Sequence, residues 1–189
     1  MKSLVGRVGF WSAILITVFN VGSTIARFVS LNMLSMTLGF LVASTFVVVM
    51  ASVHYAYDEK KIFSQLGVAF AIVCAVLLSI NYYLQLTVVR WNVLPMLAIE
   101  NPYSVMWAIE VLGYGFMGLA TLFAAAVFSP RKLEDSIRWL FVANGVLGIG
   151  GVIGYALVNP MTLFAGLVIW DIVFPLMTAF LAVLFKRLV

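Results

Sequence analysis

Ala108-Ile109-Glu110-Val111-Leu112-Gly113-Tyr114-Gly115 sets one carboxylate in a run of aliphatic, aromatic and glycine residues. The run continues with no second charge from about Val105 to Phe128, close to the roughly 20 residues a helix needs to cross about 30 Å of hydrocarbon. An ionised acid at that depth is costly, so Glu110 must face protein or water and have a partner, or carry a proton. Trp107, Tyr114 and Gly118 fall on its face at helical spacing. An acid between two amphipathic aromatics suits a cationic or hydrogen-bonding ligand, the rings adding cation–π attraction. The competing reading is a structural carboxylate bonded to a neighbouring helix.

Five further apolar runs flank this one, at about 8–28, 33–57, 63–89, 138–158 and 161–185. Of the 189 residues 65% are hydrophobic and 10% charged, with a mean hydropathy of +1.16. Soluble domains are about half apolar and about a quarter charged. The expected fold class is therefore all-α: one polytopic membrane bundle of six transmembrane helices over 1–189. Lys2 and Arg7 before the first run resemble a signal peptide's start. That run is too long, and no small-x-small site follows it, so it reads as a span. Leu133 to Ile137 is expected as a short amphipathic turn before span five, and Asn159-Pro160 as a helix stop and restart.

The basic residues set the expected orientation. With both termini inside, the inner side holds Lys2, Arg7, Lys60, Lys61, Arg131, Lys132, Arg138, Lys186 and Arg187, and the outer side only Arg27 and Arg90. The positive-inside rule then gives N-in, C-in. Arg27 and Arg90 sit at outer helix ends, where snorkelling to headgroups is the ordinary explanation; the alternative is that Arg90 reaches in to Glu110 or Glu100. His54 reads as a residue of the inner interface.

A second intramembrane acid stands in Trp170-Asp171-Ile172-Val173-Phe174-Pro175. Pro175 lacks the N–H that would bond the Asp171 carbonyl, so a kink is expected there. Such a place suits a proton, a small cation or an amine; otherwise a neighbouring hydroxyl or amide satisfies the acid. In span three Asn81 and Gln85 lie one turn apart, flanked by Tyr82 and Tyr83, and either line a pocket or hydrogen-bond between helices. Asn20 and Asn144 read as interhelical hydrogen-bonding residues.

Glycines 113, 115 and 118 in span four and 145, 148, 150, 151 and 154 in span five make small-residue faces, and Gly150-x-x-x-Gly154 has helix-packing spacing. Spans four and five are expected to approach closely, or to dock a membrane partner or a second copy. Cys74 is the single cysteine, so no intramolecular disulfide forms. One His and one Cys on different spans do not make a metal site. No cofactor or nucleic-acid partner is expected, and no nucleophile elbow, metalloprotease or phosphate-loop motif occurs.

Asn101-Pro102-Tyr103, Glu110-Val111-Leu112-Gly113-Tyr114 and Ser136-Ile137-Arg138-Trp139-Leu140-Phe141 resemble small six-span prokaryotic membrane proteins of uncharacterised function. The resemblance implies a prokaryotic cytoplasmic membrane and supplies no activity to carry over. In architecture alone the chain is similar to the substrate-binding subunits of energy-coupling-factor vitamin transporters, which capture a small molecule near the outer side. The function expected is small-molecule or cation binding, as a transporter or transporter subunit. Glu110, Asp171, Asn81 and Gln85 would supply polar contacts, and Trp107, Tyr114 and Trp170 apolar walls. Two alternatives remain: an accessory subunit with structural acids, and an intramembrane enzyme using Glu110 and Asp171 as acid and base on a lipid-like substrate.

Overall fold

A computed structural model describes residues 2–57, 61–91, 104–158, 166 and 168–189. Within them the chain is helical, with no strand. The helices are α1 (Lys2–Phe28), α2 (Asn32–Ala56), α3 (Lys61–Leu84), α4 (Val105–Ala125), α5 (Lys132–Ala156) and α6 (Phe174–Lys186). A π-helical turn over Gln85–Val89 extends α3, and another over Ile169–Val173 leads into α6. Six helical stretches are thus long and apolar enough to cross a membrane, the last being Ile169–Lys186. Sequences this apolar favour helix in lipid because a helix bonds all its own backbone N–H and C=O groups.

Each helix packs against its neighbour in the chain, and α6 returns to α1 while touching α5, so the six close into a ring. The chain ends meet at one end of it. A Cβ added to Gly6 would lie 2.9 Å from the Leu188 carbonyl carbon, and one at Gly9 would lie 2.6 Å from the Phe185 ring. Inside the ring Phe46, Leu78, Met117, Phe141, Phe174 and Leu181 are fully buried. Outward-facing positions are also apolar, among them Trp11, Ile25, Ile62, Val76, Trp139 and Ile153. Apolar both inside and out is the pattern of helices solvated by lipid.

Several expectations need correction. Leu133 to Ile137 is no separate turn: α5 runs unbroken from Lys132. Its start is held by the Ser129 N–H donating to Glu134 Oε2 at 2.9 Å and by an Arg138–Asp135 ion pair of 2.9 Å. Acids in a first turn also suit the helix dipole. Gly150 makes no tight contact, and the close approach is seen at other glycines. A Cβ at Gly118 would stand 2.9 Å from the Gly145 carbonyl oxygen, and one at Gly148 would stand 2.8 Å from the Tyr114 carbonyl oxygen, whereas one at Gly150 meets nothing within 4 Å. Spans four and five do approach closely, through Gly118, Gly145 and Gly148. The Asn144 amide joins the same seam, donating to Thr121 Oγ1 at 3.1 Å. His54 is more than a boundary residue, since its Nδ1 lies 2.8 Å from Ser64 Oγ and ties α2 to α3. The charged turn at 58–60, the polar connection at 92–103 and the Asn159-Pro160 restart lie outside the described residues.

Candidate functional site

Glu110 sits two turns into α4, whose start is capped by Ser104 Oγ accepting from the Trp107 N–H at 3.3 Å. The carboxylate is 8% exposed. Its Oε1 accepts from the Tyr114 hydroxyl at 2.7 Å and the Tyr82 hydroxyl at 3.0 Å, and its Oε2 from Asn81 Nδ2 at 3.3 Å. Tyr114 comes from the same helix one turn on, whereas Asn81 and Tyr82 are adjacent residues near the end of α3. The two tyrosine oxygens stand 3.4 Å apart. The acid is held by three neutral donors.

Beside it lies a cavity of about 290 Å³ lined by Ser23 and Arg27 from α1, Ser35 from α2, Tyr82 from α3, Glu110 from α4, Gly151 from α5 and Trp170 from the turn before α6. Trp107 and Tyr114 line it too. All come from the end of the ring opposite the chain termini. Trp170 is fixed by Phe174, stacked at 5.9 Å and 7°, and by Tyr114 at 5.3 Å. Gly151 and Gly166 line the cavity and meet nothing within 4 Å of an added Cβ, so the missing side chains leave space there.

Asp171 belongs to a different cluster. Arg27 Nη2 donates to both its oxygens, at 2.6 and 2.8 Å, and Thr24 Oγ1 donates at 2.7 Å. Arg27 is therefore no snorkelling residue; it bridges α1 to the turn before α6. That turn is π-helical because Pro175 has no N–H to offer, and the Phe174 N–H bonds Ile169 O five residues back. The expected break at Pro175 is this wider turn. With Arg27 only partly covered, at 43% exposure, the ion pair contributes little to stability. Asp171→Asn should lower the unfolding free energy by less than about 1 kcal/mol, checked by thermal melts in detergent at low and high salt.

Of the seven site residues expected from sequence, Glu110, Trp107, Tyr114 and Trp170 line the cavity. Asn81 holds Glu110 from behind, Gln85 is buried at the start of the α3 π-helical turn, and Asp171 anchors Arg27. The two acids share no hydrogen-bond donor among the described residues. Arg27, Tyr82, Ser23 and Gly151 were not among those seven. A signal for Arg27 was present: Thr17, Asn20, Thr24 and Arg27 repeat at spacings of three and four, a polar stripe down α1. Thr17 bonds Thr178 of α6 at 2.7 Å, completing a polar seam between first and last helix.

Asn20, inside that stripe, is fully buried, and neither of its side-chain atoms has a hydrogen-bond partner among the described residues. The expected interhelical bond is not formed. Asn20→Leu should raise the melting temperature, because removing an unsatisfied buried amide recovers about 1–3 kcal/mol of desolvation cost; a lower melting temperature would mean that the amide is satisfied after all.

Among the described residues no group of three His, Cys, Asp or Glu side chains gathers as a metal site would require. Compared with models of known families, with curated proteins and with solved structures, the chain matches none.

Proposed function

We propose that the chain is an integral membrane protein, with both termini on the cytoplasmic side, that binds a small molecule in the cavity at its outer end and serves as a transporter or transporter subunit. The carrying observation is the cavity itself: about 290 Å³, lined by a buried carboxylate, a guanidinium and the aromatic rings of Tyr82, Trp107, Tyr114, Tyr155 and Trp170. Ligand sites are mostly apolar concavities with a few convergent polar groups, near this size at their small end. Intramembrane acids with polar partners mark such sites more often than they serve as filler.

Orientation follows from Arg7, Lys61, Arg131, Lys132, Arg138, Lys186 and Arg187, all at the end that carries the termini. Transport rather than passive binding is supported by the wall of the site. The π-helical turn Ile169–Val173 contributes Ile169 and Trp170 to it, and helices that depart from regular α geometry at a buried site typically form the substrate sites of transporters.

A thermal-shift screen of the detergent-purified protein against amines, vitamins, lipids and cations tests the proposal. A ligand at a hundred times its dissociation constant should add about 2.7 kcal/mol of stability. Gly151→Leu, which places a side chain in the cavity, should abolish the shift while the variant still folds. Hits that survive Gly151→Leu, or no hit at all, would count against this site.

A further inference from the structure

We infer that the ligand of this cavity, on the reading that it is a small-molecule site, is a cationic amine carrying an aromatic body of one or two rings. Three observations converge on that class.

The first is charge. Among the described residues two charged side chains line the cavity, Arg27 and Glu110. Arg27 is already compensated, since its Nη2 holds both oxygens of Asp171. The hydrogen bonds described for Glu110 come from an amide and two hydroxyls, all neutral. A carboxylate away from water is stable when paired with a cation. A ligand carboxylate would have to share Arg27 with Asp171, and it would add a second negative charge beside Glu110. Anions, and zwitterions by their acid end, are disfavoured.

The second is acceptor capacity. A carboxylate offers about four lone-pair sites. Oε1 already takes two hydroxyl donors and Oε2 one amide donor, which leaves an open position on Oε2. An ammonium has three N–H donors and no acceptor, so it fills that position without leaving a buried acceptor unmet.

The third is the wall and its size. Trp107 stands three residues before Glu110 and Tyr114 four after, on one helix face, with Trp170 packed on Tyr114 at 5.3 Å. Rings so placed attract both a cation and an aromatic body. An apolar cavity of about 150 Å³ accommodates benzene. At about 290 Å³, the space admits roughly a dozen non-hydrogen atoms by proportion to that case, the size of an indole with an ethylamine arm.

Four probes sharing one ring test the class by calorimetric titration of the full chain in detergent at neutral pH: tryptamine, neutral 3-ethylindole, tryptophan and indole-3-propionate. Tryptamine is expected to bind at least about tenfold more tightly than 3-ethylindole, as a charge-assisted bond to a buried carboxylate requires, and more tightly than tryptophan or indole-3-propionate. Glu110→Gln should erase the preference over 3-ethylindole. The wild-type series decides the class even if that variant does not fold. Tryptophan or indole-3-propionate equalling tryptamine, no amine preference, or no binding by tryptamine would overturn the amine inference. The site reading fails separately: it falls if bound probes are unaffected by Gly151→Leu, and it stands if a non-amine binds and is displaced by that substitution.

Discussion

Glu110→Leu is expected to destabilise the protein by about 2 kcal/mol, from two buried donors at about 1 kcal/mol each. Leucine leaves Asn81 Nδ2 and the hydroxyls of Tyr82 and Tyr114 without their shared acceptor. Hydrogen bonds between membrane helices average only about 0.6 kcal/mol when one is deleted, because the unfolded chain finds other partners. Here one deletion removes the acceptor of three donors at once, and two of them, Asn81 and Tyr82, are 0% and 5% exposed, so water cannot replace it there. The buried-donor figure therefore governs. Glu110→Gln behaves differently: its oxygen still serves both tyrosines, and its amide can donate to Asn81 Oδ1, which has no partner among the described residues. That substitution should cost less than about 1 kcal/mol, which makes it the informative variant for binding. Unfolding in a denaturing detergent titration checks both values. A Glu110→Leu protein as stable as the wild type would show that the acid is not held as described.

Gly148→Val is expected to separate α4 from α5 and cost about 3 kcal/mol or more, the upper end of overpacking effects. Its Cβ would stand 2.8 Å from the Tyr114 carbonyl oxygen and 3.2 Å from the Gly118 Cα. Both neighbours are backbone, so no rotamer change relieves the clash, and α4 as a whole must move away from α5. Gly150→Ala is the matched control. With nothing within 4 Å of its Cβ, it should be neutral or stabilising by about 0.5–1 kcal/mol through helix propensity alone. Size-exclusion profiles and melting curves of the two variants distinguish them: a monodisperse, wild-type-like Gly148→Val protein would refute the close approach.

The six helices were legible as long apolar runs, because helices apolar enough to cross a membrane need no alternation of polar and apolar faces. Glu110 and its aromatic neighbours were legible for a related reason: a charge in such a run stands out, and spacing of three and four on one helix is local information. What failed to show was pairing across the chain. Asp171 and Arg27 are 144 residues apart, and they meet only because α6 closes the ring onto α1, a closure that no local pattern encodes. Arg27 at a helix end also had a sufficient local explanation in snorkelling, which hid its real partner. Glycine spacing pointed to the α4–α5 seam but not to the register, since Gly145 and Gly148 compete with Gly150 and Gly154 as packing faces and only the partner helix decides between them. Pro175 announced a break at Asp171 but not that a π-helical turn would absorb it.

The central claim is that a ligand sits against Glu110 between Trp107 and Trp170. A fluorescence titration of a chain retaining Trp107 alone, with Trp11, Trp91, Trp139 and Trp170 replaced by phenylalanine, tests it most directly, because Trp107 lines the cavity three residues from Glu110. Phenethylamine is the probe, since it carries no indole to emit beside the reporter. The account predicts a saturable change in Trp107 emission with the same midpoint as calorimetric binding, absent in Gly151→Leu. Calorimetric binding with no change in Trp107 emission would contradict it, because the ligand would then lie elsewhere.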